Sequence, residues 1–284
     1  MEGNISKIAR REASEKSHAM SLIRLLSTDF DGTLIGGDWG EQCAPLLASE
    51  LAATVAGGAI WAVNTGRSLA SALDGLRKLG APVTPDYILT SERHLFHPDG
   101  QGGWHDYGDW NRICHEHHDR LFAESGDFFQ QVQDLVLRTP GMTLQENVRG
   151  VPEGLIAQSE DLLDRVTLEL EALPGRQSDF HYQRSNIYLR FCHRLYDKGS
   201  TLAELSRLLD MPTADILAVG DHQNDIAMLH GRVAGMVACP ANAHQSVKEA
   251  VLQAGGHVSR LEAGEGTAEA ISLYRTGKRM KLEG

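Results

Sequence analysis

The sequence predicts an α/β fold, a doubly wound parallel sheet interrupted by a second, smaller α+β unit. Short apolar runs alternate with amphipathic helical stretches from Leu22 to Ser91, and parallel neighbours need crossover connections of this kind. The alternation stops near His97, gives way to half-exposed strands and polar helices up to about His193, and resumes after Lys198. At 284 residues the chain is also long for one compact core, as an insertion would make it.

The elements follow in order. Residues 1–20, MEGNISKIARREASEKSHAM, mix both charge signs with little apolar content and read as a poorly ordered tail, with Met20 as a candidate start. LIRLLST suits a buried strand, and a helix within Glu41–Ala56 is expected to end at Gly57-Gly58. AIWAVNT is a second buried strand. Ser68 is placed to cap a helix with Leu69, Leu73, Leu76 and Leu79 on one face, Arg77 and Lys78 in its last turn and Gly80 beyond. DYILTS is a third strand.

HPDGQGGWHDYGDW reads as loop, followed by one long polar helix from Trp110 to Leu137 and another from Asp161 to Leu173. MTLQENV, GLIAQ and SNIYLRFC read as strands, the last with Ile187, Leu189 and Phe191 on one face and Tyr188, Arg190 and Cys192 on the other. Past Lys198, Thr201 and Glu204 suggest a capping box on a leucine-rich helix, ADILAVGD a buried strand, NDIAML a helix start and MVAC a further strand. Two helices close the chain, from about His244 and near Thr267–Tyr274. The expected layout is a core at 21–96 and 195–284 with the inserted cap at 97–194.

Composition excludes several classes of partner. With 27 Lys+Arg against 38 Asp+Glu, net charge −11, the chain lacks the general attraction to phosphate backbones and anionic bilayers, so neither nucleic acid nor membrane is expected. No stretch approaches the roughly 20 apolar residues of a membrane span. Cys43, Cys114, Cys192 and Cys239 are far apart, unlike the close pairs of zinc or redox motifs, and are read as reduced thiols of a cytoplasmic protein. Oligomeric state has no signature in the sequence.

Ligands of open parallel sheets bind outside the carboxyl ends of the strands. Three polar clusters fall there, DFDGT after LLST, NTGRS after AIWAV and GDHQND after ILAV, and DKGST lies where the sheet pattern resumes. Asp29 and Asp31 are two apart in an extended segment, and Gly32 allows the chain to turn away. Carboxylates held so close need a cation between them or a proton on one. Asp221 and Asp225 add more negative charge, and an oxygen-only set favours Mg²⁺. Thr65 offers a hydroxyl, and the N–H groups of Thr65 and Gly66 precede a helix start that favours anions. Lys198 supplies a compact positive charge. Together they describe phosphoryl transfer to a carboxylate, one aspartate attacking and the other moving protons. Residue chemistry alone leaves open which attacks.

DFDGT at 29–33, Thr65 in VNTGR, Lys198 in DKGS and GDHQND at 220–225, in this order, resemble the haloacid dehalogenase superfamily of phosphohydrolases. The long insertion, ANAHQSVKEA with Asn242-Ala243, and GEGTAEAI resemble its Cof-type and sucrose-phosphatase-like branch, which carries a large α/β cap on a Rossmann-like core. The resemblance implies that Asp29 is the nucleophile forming an aspartyl-phosphate and Asp31 the general acid/base. It further implies that Asp29, the Asp31 backbone carbonyl and Asp221 hold Mg²⁺, with Asp225 direct or through water. Thr65 and Lys198 would bind the phosphoryl group, supported by Asn224. Ser91-Glu92-Arg93 stands where many relatives have Asn-Gly-Ala, which alters the charge expected on the floor of the substrate site. His222 and Gln223 occupy variable positions of the last motif.

Arg67, Arg93, Arg184 and Arg190 are weaker candidates for substrate contacts. Trp104, Tyr107 and Trp110 are read as anchors of the cap, and His115, His117 and His118 as part of a solvated, partly exposed helix, since they do not share one face. The expected function is a Mg²⁺-dependent phosphatase acting on a small phosphorylated metabolite, a sugar or polyol phosphate. A phosphomutase of the same superfamily is the nearest alternative, and a non-catalytic phosphate-responsive module a more distant one.

Overall fold

The computed structural model describes residues 23–36, 42–147 and 149–277; the expected tail and the candidate start at Met20 lie outside them. Its strands are β1 (Leu25–Thr28), β2 (Ile60–Asn64), β3 (Tyr87–Thr90), β4 (His94–Pro98), β5 (Trp104–Asp106), β6 (Met142–Glu146), β7 (Pro152–Ala157), β8 (Phe180–Ser185), β9 (Tyr188–His193), β10 (Ile216–Val219), β11 (Met236–Cys239) and β12 (His257–Val258). Its α-helices are α1 (Pro45–Ala56), α2 (Leu69–Leu79), α3 (Trp110–Glu124), α4 (Gly126–Leu137), α5 (Glu160–Ala172), α6 (Lys198–Leu208), α7 (Ile226–Leu229), α8 (Gln245–Gln253) and α9 (Ala263–Thr276).

The larger sheet has the order β12-β11-β10-β1-β2-β3-β4-β5, parallel from β12 to β3. Alternate side chains of its central strands go to opposite faces. Leu25, Ala62, Leu89, Ile216 and Ala218 pack with Leu202, Leu205, Met228 and Val247. Leu26, Trp61, Val63, Leu217 and Val219 pack with Leu47, Leu51, Leu79 and Ile271. Burial on both faces is why these strands read as continuous apolar runs. In register, Thr28 lies beside both Val219 and Val63, so the segments that follow β1, β2 and β10 leave the sheet side by side.

The smaller sheet, β6-β7-β9-β8, is antiparallel. One face is covered by α4, α5 and the end of α3 around Phe128, Phe129, Leu163, Val166, Phe180 and Phe191. The Phe180 ring centroid is 4.8 Å from Phe128 and 5.3 Å from Phe191, and burying each such ring contributes roughly 1.5–3 kcal/mol.

The structure differs from the sequence reading at several elements. The segment read as loop after His97 is a hairpin, β4–β5, that extends the larger sheet through antiparallel pairing. Its turn is organised by Asp99, whose Oδ1 accepts from Gln101 N–H at 2.7 Å and Gly103 N–H at 2.8 Å. The single helix from Trp110 to Leu137 is two, because the buried Ser125 leaves helical geometry and turns its hydroxyl back to the Leu121 carbonyl at 2.7 Å. β8 had no expected counterpart: its polar alternation belongs to a sheet edge. The cap of α6 is Asp197 with Ser200 rather than Thr201 with Glu204.

Ser68 and Gly80 do bound α2, Ser68 Oγ accepting from Ser71 N–H and Gly80 adopting φ 62°. Trp110 ties the start of α3 to the turn after β3, its indole N–H donating to the Arg93 carbonyl at 2.8 Å. The solvated reading of the histidines fails at His118, which is buried. Its Nδ1 pairs with the Cys114 carbonyl at 2.8 Å and its Nε2 accepts from His193 N–H at 3.1 Å, docking α3 on the return strand. Burial and the neighbouring Arg93 push its pKa down to about 3, so it stays neutral. No described helix is long and apolar enough to cross a membrane.

Candidate active site

The site is built from four loops at the carboxyl edge of the larger sheet. Asp29 follows β1 directly, and its N–H donates to the Val219 carbonyl at 2.9 Å, which fixes it one residue beyond the sheet. Lys198 opens α6. Asp197 caps that helix, accepting from Ser200 N–H at 2.6 Å, and Asn64 donates to the Lys198 carbonyl at 2.9 Å. With its backbone so held, the Lys198 ammonium reaches Asp29 Oδ1 at 2.7 Å and Asp225 Oδ1 at 2.6 Å. Lys198 is only 1 % exposed and Asp29 5 %.

Asp225 is fully employed, since its Oδ2 accepts from the N–H groups of Asp221 and His222, each at 2.9 Å. Asp221 Oδ1 accepts from the Thr33 hydroxyl at 2.9 Å. Gly32 is the reason Asp221 fits. It adopts φ 75°, and a Cβ there would lie 2.0 Å from Asp221 Oδ2. We therefore expect Gly32→Ala to lower stability by at least about 1 kcal/mol from left-handed backbone alone. Displacement of Asp221 should also reduce turnover roughly 10²-fold, read from thermal melts and steady-state rates. Native rates in that variant would show that the Asp221 position is not required.

Oxygens of Asp29, Asp221 and Asp225 lie within 4.8 Å of one another. Burial pushes the Asp29 carboxyl well above the ordinary carboxylate range; Lys198 opposes this, while Asp225 and Asp221 add to it. Burial, then Asp225, raise Asp221 to about 7. Burial disfavours the Lys198 ammonium, but Asp225, Asp29 and Glu92 outweigh it and keep it charged. Three clustered carboxylates against one ammonium leave excess negative charge, and the donors are all oxygen. Such a set fits a hard divalent cation.

Asp31 stands apart from that cluster. Its carboxylate is gripped by Arg67 through two hydrogen bonds, the Nε one at 2.8 Å, and its side chain remains 49 % exposed. The Arg67 guanidinium stacks on Phe30, 4.3 Å from the ring centroid, so Arg67 serves Asp31 rather than pointing freely at a substrate. Thr65 is buried beside Asp29's loop, but its N–H already donates to the Leu89 carbonyl at 2.8 Å. The expectation that this N–H meets a phosphate is thus corrected; the Gly66 N–H makes no backbone bond among the described residues.

The Ser91-Glu92-Arg93 turn is where sequence reasoning saw least. Ser91 and Glu92 both have positive φ, 50° and 65°, a conformation that costs a non-glycine residue about 1–2 kcal/mol. Glu92 is buried, with Oε1 accepting from Asn224 Nδ2 at 2.8 Å and Oε2 without a partner. Strain and an unsatisfied carboxylate oxygen together mark a functional position. Asn64 Oδ1, His222 Nδ1, Gln223 Oε1, Asn224 Oδ1 and Gln183 Oε1 are likewise buried without partners. Asn64 lies in the NTGRS cluster but was given no role there, and nothing local foretold Gln183. Of the expected cap contacts, Arg190 reaches the site, donating to the Gly66 carbonyl at 3.0 Å. Arg184 does not: it is held by Asp164 and Glu160 of α5.

Against known proteins, residues 142–262 match the family model of the haloacid dehalogenase-like hydrolases, a span that includes Lys198, Asp221 and Asp225. The sucrose-phosphatase of Synechocystis, solved with sucrose and phosphate, aligns over 90 % of this chain and 98 % of its own at TM-score 0.66 and 22 % identity. Residues 142–262 are thus similar to the haloacid dehalogenase-like hydrolases, and the fold matches that of the sucrose-phosphatase. A haloacid dehalogenase-like hydrolase from Bacillus subtilis aligns over 89 % of this chain and 99 % of its own at TM-score 0.58 and 18 % identity. Phosphoglycolate phosphatases of Methanothrix thermoacetophila and Methanosarcina acetivorans are 40 % identical over 78 residues and 35 % identical over 80, each 28 % of this chain. The chain spans about a third of the length of those curated relatives, 32 % and 33 %.

Proposed function

We propose that this protein is a Mg²⁺-dependent phosphatase that removes phosphate from a small phosphorylated metabolite, a sugar or polyol phosphate, through an aspartyl-phosphate on Asp29. One arrangement supports this above the others: a buried carboxylate, Asp29, bonded to the Lys198 ammonium at 2.7 Å in the loop before Asp31. In the proposed cycle an Asp29 oxygen attacks phosphorus and the bond to the alcohol oxygen breaks. Asp31 gives that oxygen its proton, then takes one from the water that cleaves the aspartyl-phosphate, releasing phosphate and restoring Asp29. Lys198 and the Thr65 hydroxyl hold the phosphoryl oxygens, and Asn224 steadies the loop through Glu92. Asp29, the Asp31 backbone carbonyl and Asp221 would hold Mg²⁺, with Asp225 orienting Lys198 and the 221–222 backbone. Bound there, Mg²⁺ neutralises charge on the phosphoryl group. A cytoplasmic location fits four free cysteines.

Purified protein should hydrolyse p-nitrophenyl phosphate with Mg²⁺ and lose that activity to a chelator; no turnover would remove the proposal. Release of a hexose phosphate isomer instead of phosphate would turn it into a mutase. The pH dependence has a definite sign. Because the folded Asp221 pKa of about 7 exceeds the ordinary 3.8, its contribution to metal-free stability is complete below pH ~4 and is lost as pH rises through about 7. A divalent cation takes the carboxylate form, so the rise in Tm on adding Mg²⁺ should be larger at pH 8 than at pH 6. Equal shifts would count against Asp221 as a ligand.

A further inference from the structure

We propose that Arg93 and Arg190 form a subsite for a second anion, so that the substrate carries a carboxylate in addition to its phosphate ester. The inference rests on the phosphatase reading and narrows its substrate class, from a sugar or polyol phosphate to a phosphorylated sugar acid or hydroxy acid. Arg93 comes from the turn after β3 and Arg190 from β9, so the pair joins the core to the cap. Neither guanidinium has a carboxylate partner within 4.0 Å among the described residues: Arg190 makes its one hydrogen bond to the Gly66 carbonyl at 3.0 Å, and the Arg93 side chain makes none.

Arg190 bonds the Gly66 carbonyl, and the turn that carries Arg93 bonds the same loop, Glu92 N–H donating to the Thr65 carbonyl at 3.2 Å; the two cations thus flank residues 65–66, and burial, then Arg190, push Arg93 below its ordinary value. Glu153 exerts a smaller opposite pull on Arg93 without forming an ion pair with it. Half-buried cations of this kind are stabilised by an anion between them. The phosphoryl group has its own partners in Lys198, Thr65 and the metal-binding carboxylates. The floor beyond them, with Glu92, is negative and would reject a second anion, which leaves the arginine side. Arg190 touches the carbonyl of Gly66, the residue after Thr65, so the second anion sits only a short carbon chain from phosphorus. Arginine forks suit a planar carboxylate, and an anion gripped from both layers would hold the cap closed.

The experiment compares matched substrates that differ in one group: 3-phosphoglycerate with glycerol 3-phosphate, and 2-phosphoglycolate with 2-hydroxyethyl phosphate. The carboxylated member of each pair should have a kcat/KM roughly tenfold to a hundredfold higher, the range one charge-assisted interaction supplies. Arg93→Met and Arg190→Met, each checked for folding by its melt, should bring that ratio towards one. A native ratio near or below one overturns the inference. So does an equal loss on both members in the variants, which would mean that the arginines bind the phosphoryl group or only clamp the cap. Absence of turnover on all four and on p-nitrophenyl phosphate overturns the phosphatase reading, and the inference with it.

Discussion

Asp29→Asn should reduce phosphate release by roughly 10⁴-fold or more, because an amide oxygen is too weak a nucleophile to form the covalent intermediate. The substitution is nearly isosteric, and the amide oxygen can still accept from Lys198, which keeps Asp225 as its ionic partner at 2.6 Å. Folding should therefore survive. Without metal, stability at pH 8 should hold or rise, since burial and the neighbouring Asp225 and Asp221 already disfavour the Asp29 carboxylate. The rise in Tm on adding Mg²⁺ should shrink, one ligand being gone. Rate and metal shift thus fall while the metal-free melt holds or rises, whereas general misfolding would lower all three. Substantial activity in a variant free of native enzyme would mean that Asp29 is not the nucleophile.

The core of this site was legible because it depends on register more than on side-chain detail. Continuous apolar runs identified β1, β2 and β10, and once Thr28, Val63 and Val219 are aligned, the polar residues after each run meet at one edge. Contacts made across the fold were not legible. The grip of Arg67 on Asp31, the bond from Asn64 to the Lys198 carbonyl and that from Asn224 to Glu92 join residues 36, 134 and 132 positions apart. No periodicity reports on such pairs. Glu92 is the clearest case: its departure from the usual glycine-containing turn was visible, but its burial and left-handed backbone were not.

The same division runs through the fold. Strands buried on both faces stand out by composition, whereas β8 alternates at a sheet edge and resembles a loop. The β4–β5 hairpin was hidden by a glycine-rich turn flanked by half-exposed strands too short to show a pattern. The break at Ser125 was invisible for a different reason: one hydroxyl turned onto the Leu121 carbonyl decides it, and helical periodicity continues on both sides. His118 was misread because its neighbours on α3 are polar; only the return strand, through His193 N–H, makes it an interior residue.

Lys198→Met should be the most damaging change to stability. It removes the one ammonium that lies between Asp29 and Asp225 and leaves two buried carboxylates facing each other, a situation that costs about 3–5 kcal/mol. Asp225 cannot turn away without abandoning the N–H groups of Asp221 and His222. The metal-free variant should melt well below the native protein at pH 8, and the gap should narrow at pH 5, where a proton can replace the lost positive charge. Mg²⁺ should recover part of the stability by neutralising Asp29, but turnover should stay depressed by roughly 10²–10³-fold for want of a charge on the phosphoryl oxygens. Lys198→Arg should not rescue it. A Cβ on the adjacent Gly199 would lie 2.2 Å from the Ala227 carbonyl oxygen, so the start of α6 is already in tight contact with α7 and cannot retreat to seat a wider guanidinium. A melt of Lys198→Met that is native-like and independent of pH between 5 and 8 would mean that the carboxylates do not rely on this lysine.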